Sequence, residues 1–225
     1  MSRLDAAIEN LYTAFADVRR PQTIEGCPCC WSSEETRSLL RGRLLSDVPV
    51  DLLRVYAWSA MLTIGSAADY LYFLPRILDL IARENDEGID VDVVARAIHA
   101  TEPHTWTANK RQALEEYLSA VMHTLLAPSR HREIGPWLFV IAQIGFDVRP
   151  HLHALEGSTD AILEYFTENA SDLPHRRLSQ SHMRTFPHAG HDAIVTWFYS
   201  PRIRKIIFDA YGYVMPLGES VRHVE

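Results

Sequence analysis

Apolar residues along this chain recur at steps of three and four, the spacing that places side chains on one face of a helix. Leu4, Ala7, Ile8, Leu11, Phe15 and Val18 form the first such face, with Ser2 as the expected cap and Pro21 as the stop. Gln22 to Trp31 breaks the period and reads as an irregular loop. Ser32 or Ser33 is placed to cap a second helix, whose Glu34 and Glu35 suit its positive N-terminal end. Asp47-Val48-Pro49 reads as another start, with Asp as cap and Pro in the first turn. Leu52, Leu53, Tyr56, Ala57, Ala60, Met61 and Ile64 follow on one face, up to a stop at Gly65.

Ser66-Ala67-Ala68-Asp69 has the layout of a capping box, with Asp in the place of Glu. Pro75 cannot donate a helical hydrogen bond, so a kink or break is expected there. Arg76 to Arg83 would form a separate stretch, with Arg76 capping the carbonyls that Pro75 frees. Asn85 to Gly88 reads as a polar turn, after which Asp90 caps a helix bearing Val93, Val94, Ala97 and Ile98. The longest uninterrupted pattern runs from Thr107 to Leu126, before Pro128. Pro136 to Ile144 is apolar on nearly every side, which predicts a buried central helix ending at Gly145. Helices are also expected over Arg149 to Leu155, Thr159 to Asn169, His191 to Tyr199 and Arg202 to Tyr211. Ser171 to Pro187 is the longest stretch without a period and is rich in His, Arg and Ser. Loops of that length in compact proteins are often functional.

Alternating stretches are few, so the expected fold is all-α: one helical domain over residues 1–225, built as a compact bundle of antiparallel helix pairs. A HEAT-like stack ranks second, because no fixed-period repeat is visible. The 225 residues are 47% hydrophobic and 23% charged, ordinary globular composition with ample material for a core. A net charge of −7 argues against a nucleic-acid partner, which would need clustered cations. Arg176–Arg177 and Arg202–Lys205 are small basic patches that read equally as solvated helix ends. The acidic N-terminal helix lacks the apolar core of a signal peptide, and no run is long enough to span a bilayer. Three cysteines packed into four positions do not make a secreted disulfide framework. A soluble, cytoplasmic protein is the expectation.

Cys27 with Cys30, then Tyr56-Ala57, then Phe73-Leu74-Pro75-Arg76-Ile77-Leu78 occur in that order between Cys27 and Ala82. In these features the chain resembles an uncharacterised bacterial family with a Cys-x-x-Cys loop, a Tyr-Ala helix and a Phe-Leu-Pro-Arg tract. The resemblance implies no activity. Read as residues, Phe73, Leu74, Ile77 and Leu78 are core positions around a helix interruption.

Cys27-Pro28-Cys29-Cys30 contains the spacing with which two thiolates grip a tetrahedral metal from a tight loop. Without a second cysteine pair, the other ligands of a zinc ion would be His, Asp or Glu. His188 and His191 are the candidates, which makes the expected metal set Cys27, Cys30, His188 and His191. Buried free thiols, an incidental exposed cluster and a redox pair compete with that reading. His151 and His153 cannot share a helix face, whereas His153 and Glu156 can, as an exposed polar pair. No Glu-x-x-His, His-Glu-x-x-His, Gly-x-Ser-x-Gly or phosphate-binding glycine loop occurs. Tyr70-Leu71-Tyr72-Phe73 and Trp197-Phe198-Tyr199 read first as core and second as a partner groove.

The leading expectation is thus a noncatalytic protein-interaction module, immunity- or antitoxin-like, with a protein partner and neither nucleic acid nor membrane. An enzyme or small-molecule binder with its site near residues 171–191 is the first alternative. A zinc-stabilised structural protein is the second.

Overall fold

A computed structural model describes residues 1–41, 44–83, 89–179 and 187–213. Among them the chain is an all-α multi-helix bundle of eleven α-helices, with four short 3-10 turns. Two isolated bridges, Gly26 with Ile64 and Ala60 with Ile64, are the β-type pairings of the described residues. The expected polar turn at Asn85 to Gly88 lies outside the described residues.

The helices gather into two compact units. The first unit comprises residues 1–121 and 143–145. It holds α1 (Arg3–Ala14), α2 (Ser33–Leu39), α3 (Val50–Ser59), α4 (Ala67–Arg83), α5 (Val91–Ala100) and most of α6 (Ala108–Thr124). Here α1 packs on α4, and α3 meets α2, α4 and α5. Leu11, Leu53, Tyr56, Tyr70, Phe73 and Leu114 are fully buried and form the core. The second unit comprises residues 122–142 and 146–225. It contains α7 (Ile134–Gln143), α8 (Arg149–Leu155), α9 (Thr159–Asn169), α10 (His188–Phe198) and α11 (Pro201–Tyr211), with the last residue of α7 counted in the first unit. α9 packs against α8, α11 and the 3-10 turn Pro128–Glu133, and α10 against α8 and α11.

Several local rules operate as the sequence predicts. Ser2, Ser32 and Ser66 each accept a hydrogen bond from the amide three residues on, and the acid at that position reaches back to the serine amide. Asp90 caps α5 by accepting from the Asp92 amide. α7 is buried on almost every side and is followed by Gly145 at φ +84°.

Three expectations are corrected. α1 stops at Ala14, well before Pro21. Phe15 caps it, its amide bonded to the Leu11 carbonyl at 3.1 Å, and its buried ring meets the edge of Trp106 at 5.4 Å. α3 starts after Pro49 with no side-chain cap, while Asp47 closes the preceding 3-10 turn. It ends at Ser59, because Met61 enters the left-handed region at φ 64° and the amides of Thr63 and Ile64 return to the Ser59 carbonyl. α4, finally, is one helix through Pro75, so the break of the expected kink or break, and with it the separate Arg76–Arg83 stretch, is not formed. A proline in a helix interior costs about 3 kcal/mol. Tyr70, Phe73, Leu74, Ile77 and Leu78 are all buried on this helix, and each large apolar side chain contributes about 1.5–3 kcal/mol. Packing on both sides of the proline outweighs the missing bond. Arg76 does not cap freed carbonyls; its Nη1 donates to Asp79 Oδ2 at 3.1 Å.

Candidate functional site: a three-cysteine turn

The cysteine segment has a fixed shape because both of its ends are anchored. Ile24 is buried upstream and Trp31 downstream. Trp31 Nε1 donates to Thr36 Oγ1 at 2.7 Å, and Thr36 Oγ1 donates to the Ile24 carbonyl at 3.4 Å. The flank also pairs with the turn after α3: the Cys27 amide donates to Thr63 O at 2.9 Å, and the Gly65 amide to Glu25 O at 2.7 Å. Gly26 makes a close approach here, since a Cβ there would lie 3.0 Å from Trp31 Cβ and would press on it. Between the anchors the chain makes one tight turn. The Cys27 carbonyl accepts from the amides of Cys30 and Trp31, both at 2.9 Å. Pro28 occupies the second turn position, where its restricted φ is preorganised.

This turn brings three sulfur atoms together. Cys27 Sγ lies 2.8 Å from Cys29 Sγ, which lies 3.4 Å from Cys30 Sγ, and all three are within 4.8 Å of one another. The three thiols are free, with Cys27 half-buried and Cys29 and Cys30 exposed. A hydrogen bond from the Cys29 thiol holds the Cys27 thiol below its ordinary pKa. The same bond, with the neighbouring Cys30, pushes Cys29 up to about 11. Proton loss is favoured at Cys27 relative to Cys29, where the hydrogen bonds and then the crowding of negative charge resist it. A thiophilic cation removes that conflict by replacing the protons. The trio is close enough to hold one metal ion.

Cys27 and Cys30 are thus brought together as their spacing suggests. Cys29 joins them, which the Cys-x-x-Cys pattern did not indicate. The one available signal was the turn itself, which gathers every cysteine inside it. His188 and His191 belong to the second unit, in the first turn of α10. His188 is exposed, and His191 Nδ1 lies 3.3 Å from Asp192 Oδ1. Among the described residues, the metal-competent group of three or more ligands is the cysteine trio.

The other polar candidates have structural occupations. His153 is 3.9 Å from Glu156, but that carboxylate is engaged by Arg202 at 2.7 Å and Trp197 Nε1 at 3.2 Å. His151 is buried, which lowers its pKa against the pull of Asp147. Residues 171–179 are tied down: Ser179 Oγ donates to Asp172 at 2.7 Å, its amide to Asn169 Oδ1 at 2.9 Å, and Tyr199 Oη to the Leu173 carbonyl at 2.8 Å. The rest of the proposed His-rich site, 180–186, lies outside the described residues. Among the described residues, no helix is long and apolar enough to cross a membrane. No protein-family profile, curated protein or solved structure matches the chain.

Proposed function

We propose that this is a noncatalytic helical protein whose working feature is a zinc site on the turn formed by Cys27, Cys29 and Cys30. The observation that carries the reading is the convergence of three sulfur atoms within 4.8 Å on an anchored, solvent-facing turn. Thiolates select soft and borderline cations, and zinc is the borderline ion suited to a site without redox chemistry. Three thiolates also give an M²⁺ ion a net charge of −1, which weakens its pull on the proton of a bound water. That favours holding over hydrolysis. Zinc titration of the reduced full chain against a chromophoric chelator tests this reading. One equivalent bound by wild type, with binding lost in Cys27→Ser and in Cys29→Ser, is expected. No stoichiometric zinc on the reduced wild type would overturn it.

A second reading, a protein-interaction module, is favoured by a separate observation. Val55, Trp58 and Leu62 are 45%, 49% and 62% exposed, the first two three residues apart on α3 and the third in the turn that follows it. Tryptophan is enriched among residues that anchor interfaces. If a stoichiometric partner copurifies with wild type, Trp58→Ala and Leu62→Ser should release it. Retention by both variants would remove this surface from the account.

A further inference from the structure

The cysteine turn supplies three ligands from four consecutive residues, so all three approach an ion from the protein side. Cys29 and Cys30 are exposed, and among the described residues of the first unit no His, Asp or Glu joins the trio at ligand distance. Zinc completes a tetrahedron, and a site with three protein ligands keeps one position for an outside group. Resting on the zinc reading above, we propose that the ion's fourth position opens to solvent and takes a neutral imidazole, the side chain of a histidine on a partner protein.

Electrostatics selects imidazole over another thiolate. The three-thiolate ion already carries net charge −1, and a fourth thiolate would bring it to −2. The surroundings add negative charge. Glu25 is exposed two residues before Cys27, and Glu34 and Glu35 open α2 just after Trp31. Glu35 accepts hydrogen bonds from the Ser32 amide and hydroxyl, which hold its carboxyl below the usual range and keep it ionised. Arg37 in α2 and Arg41 just beyond it both pair with Glu34, at 2.6 and 3.9 Å, and Arg20 is held on the Leu40 carbonyl, which leaves Glu25 and Glu35 as the carboxylates flanking the turn. A neutral donor enters this field without repulsion.

The approach to the turn also has apolar surface. Thr63, whose carbonyl binds the Cys27 amide, directly follows the exposed Leu62. A partner that presents histidine beside apolar side chains would meet metal and aliphatic surface together.

The test uses the full reduced chain loaded with Co²⁺, whose visible bands report the ligands of a tetrahedral site. Imidazole should shift those bands saturably, at a concentration about ten-fold lower than 2-mercaptoethanol requires at neutral pH. The His188→Gln and His191→Gln variants should start from the wild-type spectrum. Bands indifferent to imidazole, or a thiol that binds more tightly, would overturn the inference while leaving the metal site standing. A changed starting spectrum in either histidine variant would overturn it too, by placing one of the chain's own imidazoles in the fourth position. Failure to take up either Co²⁺ or Zn²⁺ would instead remove the zinc reading on which it rests.

Discussion

Gly65 sits at φ +69°, and a Cβ there would come within 2.9 Å of the Tyr56 hydroxyl oxygen. Both facts oppose a side chain. The left-handed conformation costs an L-residue roughly 1–2 kcal/mol, and Tyr56 is fully buried and unable to retreat. Gly65→Ala should lower unfolding free energy by about 2–3 kcal/mol in urea titration; an unchanged midpoint would show that the turn relaxes freely. Glu168 in α9 presents a different residue-scale effect. Burial, with the Glu164 charge nearby, raises its pKa to about 6 from 4.5. A carboxyl with a raised folded pKa binds its proton more tightly in the folded state. Its contribution is complete below pH 4.5 and is lost as pH rises through about 6. Glu168→Gln should therefore raise Tm at pH 7.5 and leave it almost unchanged at pH 4.5. Because the group is only half-buried, the gain is under about 1 kcal/mol. Equal shifts at both pH values would contradict this account.

Between elements, Asp79 is the polar junction of α1 and α4. One of its oxygens accepts from Arg83 Nε at 2.5 Å, the other from Arg76 Nη1 at 3.1 Å and Tyr12 Oη at 3.3 Å, and Arg83 continues to Asp5 at 2.9 Å. Asp79 is 8% exposed, so its loss strands the largely buried Arg76 guanidinium without a partner. Asp79→Ala should cost about 2–4 kcal/mol, and Arg83→Ala, at a half-exposed partner, under about 1 kcal/mol. Similar losses in both variants would show that burial of Asp79 does not set the energy. This junction was not legible in the sequence, where Asp79 is one polar residue in an apolar run and Tyr12 lies 67 positions away. What was legible is local. Ser2, Ser32 and Asp90 cap as their neighbours dictate, and α8 and α9 begin and end where the three- and four-residue period does. What was not legible depends on distant packing: the burial that carries α4 through Pro75, and the pairing with residues 25–27 that accompanies the early end of α3. The candidate site divides in the same way. Spacing identified Cys27 and Cys30, but only the closed turn brings Cys29 into the trio.

At the scale of the whole molecule, metal binding and folding should be separable. Small metal-dependent domains unfold without their ion because they have little else to bury. Here the first unit has a core that includes Leu11, Tyr56, Phe73 and Tyr117, and the second one that includes Trp137, Tyr165 and Phe198. The turn itself is irregular and is held mainly by its anchors, Ile24 and Trp31, and by the two main-chain bonds to Thr63 and Gly65. Stripping zinc from loaded protein with a chelator should leave the helical far-ultraviolet dichroism signal intact. Amide exchange should accelerate at Cys27, Cys30 and Trp31, whose N–H groups close and anchor the turn, and remain slow in α4 and α7. Global loss of helical signal on chelation would mean that the ion supports the fold itself. Unchanged exchange throughout would mean that the turn is equally rigid without it, leaving the three sulfurs preorganised for whatever they bind.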